Sequence, residues 1–274
     1  MARRFSNADI SRTIIFSLIF LAVLIPLFLE PPKTVRVTNE VKVVYDRIES
    51  LQPGQIVMLA CEYDPSMSAE MSPINIAVLR QCFGKNLRVL TTCLMSNGVS
   101  LVEGEMQQVA DEYKKKYGED YVFLGYKPYP GIVIMAMGED FRVAFPSDYY
   151  NTPVDDIPMM KGVKNYQNVA LVLTINATSG IDYWITYGQG RYKFPLAAAA
   201  SAVMAPNYYN YLQSGQLFGL IGGLRGAAEY EELIDRPGTA VRGMFVQSVA
   251  HLLIVGLIVA GNVTYIIERR RRKG

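Results

Sequence analysis

The residues best suited to chemistry fall in one short polar stretch. Glu62, Asp64, Ser66, Ser68 and Glu70 lie between an apolar run and a helical pattern. Carboxylates and hydroxyls in one loop can hydrogen-bond a polar ligand or hold a hard cation such as calcium. Their plainer use is local, since Asp and Ser side chains close turns and cap helices. Asp155 and Asp156 sit in a long aperiodic segment that could cover a ligand. Asn176 follows a later strand run, with Thr178 and Ser179 behind it. The candidate ligand-binding set is therefore Asp64, Ser66, Ser68, Glu70, Asp155, Asp156 and Asn176.

Other chemistries are excluded by what the chain lacks. Its single histidine, His251, lies in an apolar segment near the C-terminus. A Ser-His-Asp or Cys-His apparatus, or histidine-ligated zinc, cannot be assembled in the middle of the chain. No Gly-x-Gly-x-x-Gly follows the first strand run, so the usual dinucleotide turn is missing. Gly222-Gly223 with Arg225-Gly226 lacks the Gly-Lys-Ser/Thr ending of a phosphate loop. Cys61, Cys82 and Cys93 form no Cys-x-x-Cys pair and read as small apolar residues, although a Cys82–Cys93 bridge is open. No catalytic residue, cofactor or metal ligand is assigned. Asn176-Ala177-Thr178 has the form of a glycosylation sequon.

The elements that position the polar loop begin with Ile56–Ala60, a short apolar run opened by Pro53-Gly54. It suits a strand buried on both faces of a parallel sheet. Ser72-Pro73 offers an N-cap and first-turn proline for the next helix. Asn39 to Leu51 reads as a helix capped by Thr38, with Val41, Val44 and Ile48 on its apolar face. Leu87–Leu94, Tyr121–Gly125 and Val169–Ile175 read as strands, and Leu101–Tyr117 as an amphipathic helix with Lys114, Lys115 and Lys116 in its last turn. Gly131–Phe145 reads as a helix ending before Pro146. Ile181–Tyr187 reads as a helix. Phe194–Ser201 is placed as a strand by the alternation, against the helix preference of its alanines. The alternation implies α/β architecture, an open, mostly parallel sheet of Rossmann-like or flavodoxin-like layers.

The chain has 274 residues, half of them hydrophobic, and a net charge of +2. That balance gives no reason to expect nucleic acid. Thr13 to Leu29 carries no charge and follows Arg3, Arg4 and Arg12. It reads as an uncleaved anchor. Met244 to Ile267 is also uncharged, and Arg269 to Lys273 follow it. The positive-inside rule then puts both termini in the cytoplasm and the middle domain in the periplasm or outside the cell. The expected division is a cytoplasmic 1–12, a first span at 13–29, an extracytoplasmic α/β domain at 30–242, a second span at 243–267 and a basic tail at 268–274.

Two stripes suggest assembly. Gly215, Gly219 and Gly223 recur four apart and would make a smooth helix face. Gln247, His251 and Asn262 fall on one side of the C-terminal segment, where a partner helix would satisfy them. The leading reading is a two-span, non-catalytic subunit or scaffold of a membrane assembly. Its partners would be the bilayer and either itself or other membrane subunits. The rival is a membrane-tethered, histidine-free hydrolase or small-ligand sensor using the 62–70 loop.

Overall fold

The computed structural model describes residues 7–31 and 36–271. It forms two units, one of residues 35–240 and one of the chain ends, 1–34 with 241–274. Seven longer helices occur among the described residues: α1 (Asn7–Leu24), α2 (Asn39–Glu49), α3 (Ser68–Gly84), α4 (Val99–Glu112), α5 (Pro130–Glu139), α6 (Gly223–Leu233) and α7 (Thr239–Arg271).

The 35–240 unit is built on six strands: β1 (Ile56–Glu62), β2 (Arg88–Cys93), β3 (Tyr121–Tyr126), β4 (Leu171–Asn176), β5 (Leu196–Ala200) and β6 (Gly219–Gly222). Every pairing is parallel, in the order β3-β2-β1-β4-β5-β6. The chain builds outward from β1 to β3, then returns to the centre and builds the other way. β1, β4 and β5 are buried at every position, which requires helices or loops on both faces. Ala197–Ala200 illustrates the point. Alanine prefers helix, but here its small side chain fits a central strand crowded on both sides.

Local corrections follow from packing. α3 begins at Ser68 rather than Ser72, so Pro73 lies inside the helix and the Ser72 hydroxyl is buried without a partner. Thr38 does not cap α2 with its side chain; its N–H and hydroxyl both donate to Glu229 on α6, at 2.8 and 2.6 Å. α4 stops at Glu112, and Lys114 takes a left-handed conformation beyond it. The 131–145 segment is two helices, broken at Asp140, whose carboxylate caps the second, Phe141–Ala144. All three cysteines are buried free thiols, so Cys82 and Cys93 do not pair.

The long segment after residue 146 is tied along β3. The Tyr149 N–H donates to the Phe123 carbonyl on β3, and further on the Met159 N–H donates to Gly118, just before β3. The segment thus runs down the outer side of an edge strand and occupies main-chain groups that would otherwise invite another strand. Asp148 holds its turn, accepting from the N–H groups of Tyr150 and Thr152 at 2.9 and 2.8 Å and from the Tyr117 hydroxyl at 2.6 Å.

The chain ends correct the topology. Among the described residues only α7 is long and apolar enough to cross a membrane. The N-terminal apolar helical stretch is shorter, Arg12–Phe28. α1 ends at Leu24, and Pro26 sits in a 3-10 turn, Ile25–Phe28. A proline removes one helical N–H and crowds the preceding turn, so it shortens a stretch already at the lower limit. The two flanking spans therefore do not stand. The two-span scaffold, the cytoplasmic placement of both termini and the extracytoplasmic placement of the domain fall with them. Arg3, Arg4, Arg272 and Lys273 of the expected basic flanks lie outside the described residues.

Candidate functional site

Glu62 closes β1 and Asn176 closes β4, and the register sets them side by side. These are the neighbouring strands where the direction of building reverses. In open α/β sheets the crevice beyond the carboxyl ends of such strands is where ligands bind. The Asn176 Nδ2 donates to Glu62 Oε2, and the Trp184 Nε1 donates to Oε1 at 2.8 Å. Trp184 is fully buried and sits in a π-helical turn, Trp184–Gln189, a form of helix that recurs at functional sites.

Burial dominates the electrostatics of Glu62, which is only 4% exposed. Desolvation pushes its carboxyl up to about 7, against the two donors, which favour the charged form. The group can therefore take up or release a proton near neutrality. Gly180 covers the pair. A Cβ there would lie 2.0 Å from Asn176 Nδ2 and 2.8 Å from Glu62 Oε2, so only glycine fits.

The surrounding loops are tied across the same edge. Asn176 Oδ1 accepts from the N–H and hydroxyl of Thr178 at 2.8 and 3.0 Å. Glu70 Oε2 accepts from the Ala202 N–H at 2.8 Å, joining α3 to the loop after β5. The Ser201 hydroxyl donates to the Ala177 carbonyl at 3.2 Å. Asp64 accepts from the N–H and hydroxyl of Ser66 at 2.8 and 2.6 Å, which holds its carboxyl below the usual range, and the Ser68 hydroxyl donates to Pro65. The loops at 63–67, 177–180 and 201–204 contain no Lys or Arg.

Of the expected ligand set, Asp64, Ser66, Ser68, Glu70 and Asn176 belong to this edge. Asp155 and Asp156 do not. Asp155 pairs with Arg142 at 2.5 Å, on the segment that flanks β3. Glu62, read in the sequence as part of the polar first loop but left out of the candidate set, lies at the centre of this edge. The sequence signal was its position as the last residue of a buried strand. Trp184 was missed, and its only signal was that the chain has one tryptophan. On the opposite face of β1 lies a second buried polar group. The Asn75 Nδ2 and the Tyr63 hydroxyl both donate to Glu105 Oε2, the first at 2.7 Å, and the Cys61 thiol donates to Asn75 Oδ1 at 3.4 Å.

The three glycines at 215, 219 and 223 do not form a helix stripe. Gly215 lies in a turn at φ 73°, Gly219 begins β6, and Gly223 opens α6 at φ 55°. They share no helix face. Gly219 does sit where a Cβ would come 2.4 Å from the Val44 methyl of α2. Gln247, His251 and Asn262 are exposed on α7, and the Asn262 amide donates to the Ile258 carbonyl of its own helix at 2.8 Å.

No family model matches the sequence, and no curated protein matches it. Among solved structures, a trehalose-6-phosphate synthase, OtsA, is similar at 12% identity and a TM-score of 0.32. The alignment covers 90% of this chain and 48% of that one, so the chain spans about half its length. A likeness this distant identifies neither site nor activity. The class of protein is defined by the strand order alone: a parallel α/β sheet of Rossmann type.

Proposed function

We propose that the 35–240 unit is a binding module for a small polar ligand carrying amine or hydroxyl groups. The ligand is taken at the carboxyl edge of the sheet, between the loops after β1 and β4. The observation that carries this reading is Glu62, a buried carboxyl poised near neutrality at the point where strand order reverses. Asn176 and Trp184 fix its geometry. Asp64, Ser66, Ser68 and Glu70 supply the rim. The loop at Gly180 must shift to admit the ligand, because Glu62 is closed over. The long apolar α7 supports attachment of the chain to a bilayer.

The test is calorimetric titration of the full chain, in neutral detergent, with a panel of primary amines and polyols. Binding by the wild type that is lost in Glu62→Gln and weakened in Asp64→Ala supports the module. A competing reading treats Glu62–Asn176–Trp184 as a strap tying β1 to β4, since both carboxylate oxygens already have protein donors. That reading wins if Glu62→Gln changes only the melting temperature.

A further inference from the structure

Three helices end around one cleft near the amino edge of the sheet, and all three end in the same way. α3, α4 and α6 each run into a left-handed residue, Asn86 (φ 56°), Lys114 (φ 55°) and Asp235 (φ 51°). The next N–H in each reaches back to the carbonyl five residues before it: Leu87 to Cys82 at 2.9 Å, Lys115 to Ala110 at 2.8 Å, Arg236 to Glu231 at 3.0 Å. The left-handed residue's own N–H bonds the carbonyl three before it in every case. This paired pattern satisfies the open carbonyls of a helix end with main-chain donors. The basic side chains gathered here are therefore not needed as caps.

Their bonds run elsewhere. Glu112 takes the Arg80 Nε on one oxygen at 3.0 Å and an Arg236 Nη on the other at 2.8 Å. One carboxylate thus fixes two guanidiniums and uses a single nitrogen of each. A guanidinium has five N–H donors, so both retain donors for a ligand. Arg236 also lies over the Tyr113 ring, 5.8 Å from its centroid. Lys85 adds a third cation, held by Glu49 at 3.0 Å. The cleft between them has a volume of about 330 Å³, and Glu49 is the one carboxylate that lines it beside Arg80, Lys85 and Arg236. That volume suits a small molecule.

We propose that this cleft binds a small organic anion through a carboxylate or phosphate group, with Arg80 and Arg236 as the paired donors and Lys85 as the third cation. The site is distinct from the carboxyl edge and does not depend on it.

Calorimetric titration of the full chain in neutral detergent at low salt tests the proposal, with citrate and inorganic phosphate as probes. The expected result is saturable binding of at least one probe, and which one saturates separates carboxylate from phosphate recognition. Arg236→Gln should weaken it about tenfold or more, and Lys85→Gln should weaken it less. Glu112→Gln should strengthen it, because the competing carboxylate is gone. Weaker binding in Glu112→Gln, which would make that carboxylate part of the site rather than a competitor for its donors, overturns the proposal. So does the absence of saturation by either probe at millimolar concentration, or unchanged binding in Arg236→Gln. If Arg236→Gln fails to fold by circular dichroism, Lys85→Gln and Glu112→Gln decide. Glu62→Gln should leave these isotherms unchanged, which keeps this test separate from that of the carboxyl edge.

Discussion

At the carboxyl edge of the sheet, the loops after β1, β4 and β5 gather acids and hydroxyls without a single cation. Near the amino edge, Arg80, Lys85, Lys115 and Arg236 collect around helix ends. Parallel strands joined by returning helices point every helix N-terminus to one edge and every C-terminus to the other. The helix dipole favours acids at the first and bases at the second. The amino edge also holds acids, Glu49 and Glu112, each paired with a base, whereas those three carboxyl-edge loops hold no base. The two edges also differ in energetics. Glu62 is buried with neutral donors and no cation, so its ionisation is opposed by the protein. The amino-edge charges are paired and partly exposed, with Arg236 at 55% and Glu112 at 28%, so solvent screens them.

The largest test of this contrast is Trp184→Ala. It opens a cavity beside Glu62 and removes a donor, and should cost about 4 kcal/mol in chemical denaturation. A loss near zero would mean the indole does not form the floor of the carboxyl edge.

Next comes the pH dependence of Glu62. Its folded-state value is about 7, against an ordinary 4.5. Between those values the folded protein holds a proton that the unfolded chain has lost. Stability should therefore fall as pH rises through that window, by about 3 kcal/mol from this group, and flatten above it. Glu62→Gln should remove that component of the slope when stability is followed from pH 4 to 8. An unaltered profile in the variant would show that Glu62 ionises freely and that the two edges are electrostatically alike.

Asp148→Ala should cost about 2 kcal/mol, because three donors lose their acceptor. Hydrogen exchange should rise first at the Tyr149 amide, where the edge cover meets β3. Uniform exchange would argue that the segment is not held by that carboxylate.

The smallest effect belongs to the amino edge. Lys85→Ala should change stability by less than about 1 kcal/mol, since its pair with Glu49 is partly exposed and screened by solvent. A larger loss would show that this network carries fold stability, against the ligand role inferred for it.

Much of the domain was legible in the chain. The continuous apolar run of β1, the amphipathic stripe of α2 and the β-α alternation each point to a buried parallel sheet, and that sheet is present. Ala197–Ala200 was legible only through alternation, because its composition favours helix. The 147–167 segment was not legible as an edge cover, since its bonds are to a strand placed next to it by topology. The glycines at 215, 219 and 223 share a spacing but occupy a turn, a strand and a helix start. Spacing alone does not distinguish a helical face from a β-to-α junction. The paired-span reading failed at Pro26, where a break in helix geometry outweighed an apolar composition.

For the site, the residue types could be read from the chain: an acid-rich first loop, no histidine in the middle of the chain, no phosphate loop. Those depend on composition and local order alone. That Glu62 rather than Asp64 is the distinctive group emerges only on folding. Its character comes from burial and from donors at positions 176 and 184, more than a hundred residues away along the chain. A pKa is a property of surroundings, and the surroundings of Glu62 exist only once β4 lies beside β1.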